Sequence, residues 1–445
     1  MAESTAERIA CGLANLSYAD LPQATLSAVK RCVLDAVACA AAGFRHETVQ
    51  AASAWAIAAF RDGPSSVWFT GESGAPSAAA FSNAFAASIL DLDDGHRAAV
   101  GHPGAAIIPA VFAEADARGA TTEAILLAIV CGYEAGVGVA LSRDPAKLSV
   151  VATGRWSAIG VAAAVAKLRG LSSSQLRESL AIAESHSPNL ISADHAGFLG
   201  SDVKEGIPWS VITGIAAVDL AEAGMRGYRF ALDNPAIYRP GLAVPTPGSP
   251  FLIESTYFKR YACCRWIHSA IDAIFSIGPE QAPSEQVETI EVATFNRAAT
   301  LKNPVRPEDV IAAQFSVPFA VALAYEYGPD ALMPIGKSAL TDERVTRLAE
   351  KVRVSVDEEF EAAYPTQVPA RVKIVANGQT MVREIRVPKG DPGNPLTDSE
   401  LTGKAVHLMK GTWRESKTRE VASALLSSTN FSSASLRALL MQSGE

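Results

Sequence analysis

The chain has 445 residues, of which 49% are hydrophobic and 19% are charged, and its formal net charge at pH 7 is -8. That length exceeds what a single hydrophobic core usually supports, so we expect two domains, and the composition excludes an intrinsically disordered chain. The acidic balance, without any basic stripe, excludes a nucleic-acid partner, because affinity for phosphates needs clustered Lys and Arg.

The N-terminal segment and the cysteines indicate the cellular compartment. Acidic residues come early and no basic region precedes an apolar one, so we expect no signal peptide. We also expect no apolar run of the ~18 to 20 residues that cross a bilayer, and hence no membrane partner. The 6 cysteines show neither metal-binding spacing nor the density of a disulfide scaffold. These features predict a cytoplasmic protein.

Helical periodicity dominates the first part of the chain. In residues 20–44, Leu26, Val29, Val33 and Val37 recur at helical spacing. The same alanine-rich pattern continues through residues 75–94, 121–142, 157–170 and 211–227. Residues 1–265 are therefore predicted to form a mostly helical domain, in which small side chains let the helices pack closely.

The pattern changes after a proline-containing linker near residues 277–286. In VETIEVATF, Ile290 and Val292 alternate with polar neighbours, and two alternating runs flank Asn377-Gly378, a strong hairpin signal. Helical patterns lie between these strands, which predicts a smaller α+β domain over residues 266–395. Residues 396–445 return to helical character and are expected to rejoin the first domain. The predicted fold class is thus mostly α with an α+β second domain.

One stretch, DLDDGHRAAVGHPGAAIIPA, places three carboxylates beside two imidazoles: Asp91, Asp93, Asp94, His96 and His102. Such a group can bind a divalent cation, orient a histidine base, or cap the following helix. Asp94 is the candidate for the helix cap. Composition alone leaves these interpretations open.

Two further stretches carry cations. In SDVKEGIPW, Lys204 stands between a polar loop and a helix, where an exposed lysine is the ordinary expectation. In FKRYACCRWIHSAIDAI, four ionisable residues surround a pair of cysteines that we interpret as small core residues: Lys259, Arg260, Arg265 and His268. An acidic protein that binds an anion must concentrate its positive charge, and the last stretch does so. The signatures of dinucleotide oxidoreductases, P-loop nucleotidases, α/β-hydrolases and zincins are absent.

Taken together, these stretches resemble the MmgE/PrpD family, which includes 2-methylcitrate dehydratases, cis-aconitate decarboxylases and iminodisuccinate epimerases. The resemblance lies in DLDDGH with GHPG, then KLRGLS, SDVKEG with GIAAVDLAEAGMRG, KRYACCRWIHSAIDA and AAQFSVPFAVALA, in that order across most of the chain. It implies a helical domain built from both chain ends with an inserted α+β lid, a homodimer, and an active site between the domains. It also implies chemistry beside a carboxylate of a small di- or tricarboxylate, without an organic cofactor.

Carried over position by position, the resemblance implies a set of catalytic residues: Asp91, His102, Lys204 and Lys259. We expect four more residues to bind substrate: Asp93, Asp94, Arg265 and His268. Two positions depart from the pattern, since relatives tend to have a histidine where this chain has Val151 and often a tyrosine where it has Phe319. The loss of two candidate proton donors weakens the expectation of leaving-group chemistry.

A mechanism follows from these residues. Removing a proton next to a carboxylate forms an enediolate, so the site needs a base and fixed positive charge. A histidine has an ordinary pKa near ~6.5, which suits His102 as the base, with Asp91 fixing its tautomer. Epimerisation needs a second proton carrier, for which a lysine with a pKa lowered by neighbouring cations would serve. We therefore expect an epimerase of the iminodisuccinate type, with a dehydratase or decarboxylase as the alternative.

Other chemistries remain open from the sequence. Lys204 or Lys259 could form a Schiff base with pyridoxal phosphate, which would make the protein a cofactor-dependent racemase or lyase. The same cationic cleft could belong to a protein that binds a polyacid without catalysis. A divalent ion held by the first acidic stretch is conceivable, although we predict no metal requirement.

Overall fold

The computed structural model describes residues 3–143, 152–190, 201–239, 249–427 and 432–442. Val151, where the resemblance led us to expect a histidine, lies outside the described residues. Within the described part, a large helical domain stands beside a smaller α+β domain, which confirms the predicted fold class.

Helices form most of the first domain. They are α1 (Thr5–Asn15), α2 (Gln23–Gly43), α3 (Glu47–Ala59), α4 (Pro76–Ser88), α5 (Gly104–Arg118), α6 (Thr122–Ser142), α7 (Gly154–Leu168), α8 (Ser173–His186) and α9 (Ile207–Glu222). Two short antiparallel pairs, which the sequence analysis missed, join β1 (Ser65–Val67) to β2 (Glu72–Gly74) and β3 (Gly95–His96) to β4 (Thr256–Tyr257). The second pair joins the acidic stretch to the two residues that directly precede the cationic stretch beginning at Phe258.

Glycines allow the central helices α6 and α7 to pack at close range. A Cβ atom placed on Gly136 would lie 3.1 Å from the Cα of Gly160, and one on Gly160 would lie 2.9 Å from the carbonyl oxygen of Gly132. Larger residues at these positions would push the two backbones apart. The small side chains noted in the sequence therefore set the spacing of the helical core.

Helix α6 corrects one expectation. Its 21 residues are long and apolar enough to cross a membrane, although we had expected no such run. However, 83% of its most apolar window is buried inside the protein. A helix surrounded by other helices is apolar on every side, so its composition resembles that of a membrane span. We interpret α6 as the core helix of this domain.

The α+β domain contains one sheet with helices packed against it. Its strands are β5 (Val287–Thr294), β6 (Val352–Val356), β7 (Ala370–Ala376) and β8 (Gln379–Ile385), in the order β6-β5-β7-β8. Its helices are α10 (His268–Ile277), α11 (Asn296–Ala299), α12 (Val310–Gln314), α13 (Val317–Tyr327), α14 (Glu343–Ala349) and α15 (Glu358–Ala363).

The sheet confirms the strand predictions. Strands β5 and β6 are parallel, and the other two pairs are antiparallel. Between β7 and β8, Asn377 and Gly378 have φ angles of 51° and 70°, as a tight hairpin turn requires. Ile290 and Val292 on β5 are buried, which confirms the alternating pattern.

The C-terminal helices lie against the N-terminal part of the chain. They are α16 (Asp398–Leu408), α17 (Glu415–Ser427) and α18 (Ser433–Leu440). Helices α16 and α17 contact α2, and α18 contacts α6 and β1. Lys404 on α16 forms a buried ion pair of 2.6 Å with Asp35 on α2 and donates a 2.7 Å hydrogen bond to the carbonyl of Leu92. The returning chain thus holds the backbone next to Asp91.

Two helices of the first domain present an apolar surface to solvent. Trp55 on α3 is 45% exposed and Trp209 on α9 is 50% exposed, and their rings lie 5.6 Å apart. Neither residues 48–60 nor residues 207–218 contain a charged side chain. In a chain with a net charge of -8, two copies repel each other least through such an uncharged face. We propose that a second copy of the chain covers this face in a homodimer.

We expect the double variant Trp55→Ser, Trp209→Ser to shift the protein from dimer towards monomer in sedimentation velocity, because large aromatic side chains dominate the energy of an interface. Val382→Ser is the matched control, since this side chain is 51% exposed on β8 of the other domain. The control should sediment like the wild type. A wild-type protein that remains monomeric at high concentration would contradict the proposal.

Candidate active site

A cleft opens where the loop between β3 and α5 meets the segment around β4 and the α+β domain. The space between its atoms, counting the open mouth, is about 540 Å³, of which only about 50 Å³ can hold the centre of a water-sized sphere, so the cleft is narrow. Its charged lining comes from Asp91, Arg97, His102, Glu205, Lys259 and Arg265. Its apolar lining comes mainly from Val100, Tyr257, Trp266, Phe315, Tyr364 and Val368. The lining of the cleft is therefore partly ionic and partly apolar.

A buried ion pair joins two of the predicted catalytic residues. Lys259, which is fully buried, lies with its Nζ atom 2.8 Å from Oδ2 of Asp91 and 3.0 Å from the Asp91 carbonyl oxygen. Burial alone would raise the pKa of Asp91, but Lys259 and Lys204 hold it well below its usual range. Burial would likewise lower the pKa of Lys259, and the Asp91 carboxylate raises it instead. Lys259 is therefore a fixed cation, which corrects our expectation of a lysine with a lowered pKa at this position.

The other carboxylate oxygen of Asp91 faces two more predicted residues. Nζ of Lys204 lies 3.7 Å from Oδ1 of Asp91, and Nε2 of His102 lies 3.9 Å from the same atom. Lys204 is buried and also donates a 3.4 Å hydrogen bond to Gln314 on α12. The structure thus brings all four predicted catalytic residues together around one carboxylate.

Backbone geometry fixes the tautomer of His102. Its Nδ1 atom lies 2.7 Å from the carbonyl oxygen of Asp94. A carbonyl only accepts hydrogen bonds, so Nδ1 carries a proton and the neutral ring keeps its lone pair on Nε2. That lone pair lies on the side of Asp91. We had expected Asp91 to set the tautomer, whereas the carbonyl of Asp94 does so.

Asp94 and Asp93 lie behind the cleft. The carboxylate of Asp94 accepts a 2.9 Å bond from the backbone N–H of Gly104, at the first turn of α5, and a 2.5 Å bond from the hydroxyl of Tyr133. Asp94 therefore caps α5, as one of our interpretations proposed. Asp93 lies 3.4 Å from Nδ1 of His102. Neither residue lines the cleft, so we infer that both position His102 rather than contact substrate.

Arg265 and His268 form a second cluster. Nη1 of Arg265 donates a 3.0 Å hydrogen bond to Nδ1 of His268, whose Nε2 lies 3.2 Å from the carbonyl of Cys263. Burial, together with Arg265, lowers the pKa of His268 well below its usual value, so this ring is neutral. Nη2 of Arg265 also lies 3.0 Å from the fully buried carboxylate of Asp391. His268 does not line the cleft, and we infer that it orients Arg265, which does.

The sequence analysis missed several cleft residues. Arg97 lies within the acidic stretch that we examined, lines the cleft and pairs with Asp391. Its position between His96 and His102 was the one feature of the sequence that could have indicated it as a site residue. The aromatic lining residues come from distant segments and gave none. Phe319 is fully buried on α13 and does not line the cleft, so its missing hydroxyl says nothing about proton donors there.

No group of three or more His, Cys, Asp or Glu side chains is arranged to hold a metal ion in the described parts of the chain. All six cysteines are free thiols, and Cys263 and Cys264 are buried. Burial raises the pKa of Cys264 to about 12, so this thiol of the cleft lining is protonated at neutral pH.

Comparison with known proteins finds matches over most of the chain. The MmgE/PrpD N-terminal domain matches residues 7–238, and the MmgE/PrpD C-terminal domain matches residues 261–428. Among curated proteins, a cis-aconitate decarboxylase of Aspergillus terreus is 26% identical over 93% of this chain and 91% of its own length. A cis-aconitate decarboxylase of Homo sapiens is 27% identical over 62% of this chain and 60% of its own length.

We expect Asp91→Asn and Lys259→Met each to lower the free energy of unfolding by about 3–5 kcal/mol, because either change leaves a buried charge without its partner. The double variant should regain part of that loss, because both charges of the tight pair are gone while Lys204 still lacks the Asp91 carboxylate. Denaturant unfolding of the wild type and the three variants measures this coupling. A loss of unfolding free energy in the double variant that equals the sum of the two single losses would contradict this coupling.

Asp94 gives a prediction about pH. Burial, followed by the nearby Asp35 carboxylate, raises the pKa of Asp94 to about 7, against about 4 in an unfolded chain. Between these values the folded state holds a proton that the unfolded state has released, so stability falls as pH rises. Asp94→Asn keeps an acceptor for Gly104 and cannot ionise. We expect a flatter decline of Tm between pH 5 and 8 in this variant; a slope equal to that of the wild type would refute the assignment.

Proposed function

The chain belongs to the MmgE/PrpD family of enzymes, and we propose that it is a lyase that forms a carbanion beside a carboxylate of a small di- or tricarboxylate. The observation that carries this proposal is the buried cluster in which Asp91 meets Lys259, Lys204 and His102 beside the cleft. The names of the relatives favour decarboxylation among the lyase reactions.

Fixed positive charge is the first requirement of such a reaction. When a carbanion forms beside a carboxylate, the extra electron pair spreads onto oxygens that already carry negative charge. Lys259 is held in its charged form by Asp91, and Arg265 and Arg97 share the single carboxylate of Asp391. These cations are buried or partly buried, where their attraction for an anion is stronger than in water. We propose that they bind the substrate carboxylates.

A mobile proton is the second requirement, and we assign it to His102. In decarboxylation, the bond from the reacting carbon to one carboxylate breaks, CO2 leaves, and the electron pair passes into the adjacent unsaturated carboxylate. The protonated imidazole then gives its Nε2 proton to carbon and becomes neutral, with Nδ1–H still held by Asp94. Asp91 lies 3.9 Å from Nε2 and stabilises the charged ring before the transfer. Solvent restores the proton, so the step needs no organic cofactor.

Epimerisation is the second candidate, because Lys204 also approaches Oδ1 of Asp91. An epimerase removes a proton with one group and returns it with another. His102 and Lys204 come from different segments, so they could serve as that pair. The apolar lining of the cleft includes Trp266, Phe315 and Tyr364. It would exclude water from the carbanion in either reaction.

One experiment separates these reactions. The wild-type protein is incubated in deuterated water with a panel of di- and tricarboxylates that includes cis-aconitate, and CO2, new products and label are followed. We expect CO2 release with one deuterium incorporated into the product. Deuterium incorporated into a substrate that is otherwise unchanged in mass would instead show epimerisation. A product that has lost water would show dehydration. No conversion and no label with any substrate would refute the proposal.

Two variants test the assigned proton carrier. His102→Asn should lower kcat by roughly 10²- to 10⁴-fold, the usual size of general acid–base catalysis. His186→Asn is the matched control, because His186 is exposed near the end of α8 and its ring bonds only locally to the carbonyl of Ile182 among the contacts described. A His102→Asn variant with wild-type kcat would remove His102 from the mechanism.

A further inference from the structure

We propose that Glu205 is a positioning residue that fixes the position of the loop carrying His102 relative to the turn carrying Lys204. The inference rests on the proposed function for the roles of His102 and Lys204, but the contacts themselves do not. Glu205 was not among the residues that the sequence singled out. It lines the cleft beside the predicted catalytic residues.

Three hydrogen bonds connect Glu205, through Thr153, to the backbone of His102. Oε2 of Glu205 accepts a 2.6 Å bond from the hydroxyl of Thr153 and a 3.0 Å bond from the Thr153 backbone N–H. The Thr153 hydroxyl oxygen in turn accepts a 3.2 Å bond from the backbone N–H of His102. Thr153 is fully buried, and Glu205 is half-buried at the cleft, so Thr153 shields the bond to His102 from water. A carboxylate on one loop therefore fixes the backbone that carries the proposed proton carrier on another.

Close backbone packing supports the same contact. A Cβ atom on Gly101 would lie 2.4 Å from the hydroxyl oxygen of Thr153, so the residue before His102 must be small for the bond to form. On the other side, a Cβ atom on Gly154 would lie 2.6 Å from the carbonyl oxygen of Gly206. Glycines thus allow both loops to approach the start of α7.

The turn that carries Glu205 has an unusual backbone. Lys204, Glu205 and Gly206 have φ angles of 45°, 55° and 72°, and the first two have side chains that disfavour this region. This shape sends the Lys204 side chain towards Asp91 and the Glu205 side chain towards Thr153. In this turn Lys204 therefore meets Asp91, and the next residue, Glu205, is linked through Thr153 to His102. A misplacement of a catalytic group by about 1 Å can lower the rate ~10²-fold, so the relative position of the two loops affects catalysis.

The geometry permits variants that separate position from charge. A single oxygen of Glu205 accepts both bonds from Thr153, so the amide oxygen of Glu205→Gln can replace it, whereas Glu205→Ala removes both bonds. Thr153→Ser keeps the hydroxyl, whereas Thr153→Val loses it and keeps the backbone bond to Glu205. Ser157→Ala is the matched control, because it deletes a buried 2.7 Å bond between Ser157 and Ser210 that joins α7 to α9 without reaching His102.

Hydrogen exchange of the peptide containing His102, followed by mass spectrometry, tests the contact without any substrate. We expect Glu205→Ala and Thr153→Val to speed this exchange about 5-fold, since a buried hydrogen bond contributes roughly 1 kcal/mol. Glu205→Gln and Thr153→Ser should restore most of the protection, and Ser157→Ala should leave it unchanged. Unchanged exchange in Thr153→Val, or equal effects in Ser157→Ala, would overturn the proposal.

Steady-state kinetics with a carboxylate that the wild type converts give the second readout. We expect Glu205→Ala and Thr153→Val to lower kcat at least 10-fold while KM stays within about threefold, because His102 moves and the carboxylate-binding cations do not. Glu205→Gln should recover at least tenfold over Glu205→Ala. A Glu205→Gln variant as impaired as Glu205→Ala would show that the charge itself is needed and would overturn the positioning role. If no substrate is processed, the proposed function fails, and hydrogen exchange still decides the contact.

Discussion

The site depends on a small number of carboxylates that neutralise a larger number of buried cations. In the described residues, Asp91 faces Lys259, Lys204 and His102, and a second carboxylate, Asp391, is shared by two arginines. Buried charges are costly without a partner, so these carboxylates allow the fold to hold the cations at all. Asp91 and Asp391 are thus each shared by more than one basic group, and the proposed function uses these shared cations to bind the substrate carboxylates.

The same arrangement separates fixed charge from mobile protons. Asp91 contacts Lys259 at hydrogen-bond distance with one oxygen and leaves the other oxygen to Lys204 and His102 at 3.7 Å and 3.9 Å. A tight pair stabilises the charged lysine, whereas the contacts to Lys204 and His102 are longer than hydrogen bonds, and the proposed function assigns the mobile proton to His102. The carbonyl of Asp94 completes this division, because it holds the opposite ring nitrogen in one protonation state. One carboxylate therefore supports two different kinds of group.

Backbone strain gathers around the cleft. Asp91, Val100, Lys204 and Glu205 have φ angles of 54°, 52°, 45° and 55°, which non-glycine residues disfavour. Each lies in a loop or turn that carries a proposed catalytic or positioning residue. The pairing of β3 with β4 and the return of α16 hold these loops in place. The rigid helical core thus stabilises conformations that the loops would not adopt alone.

The sequence determined the elements and the chemical groups, because both depend on local order along the chain. Alanine-rich helical periodicity predicted helices such as α6 and α7, and Asn377-Gly378 predicted the β7–β8 hairpin. The resemblance to the MmgE/PrpD family, carried by ordered motifs, also implied Asp91, His102, Lys204 and Lys259 as catalytic residues. Only the tertiary structure decided which groups touch, since Lys259 meets Asp91 across 168 positions of sequence. The raised pKa of Lys259, the supporting places of Asp94 and His268, and the link from Glu205 to His102 all follow from burial and contact, which no local pattern encodes.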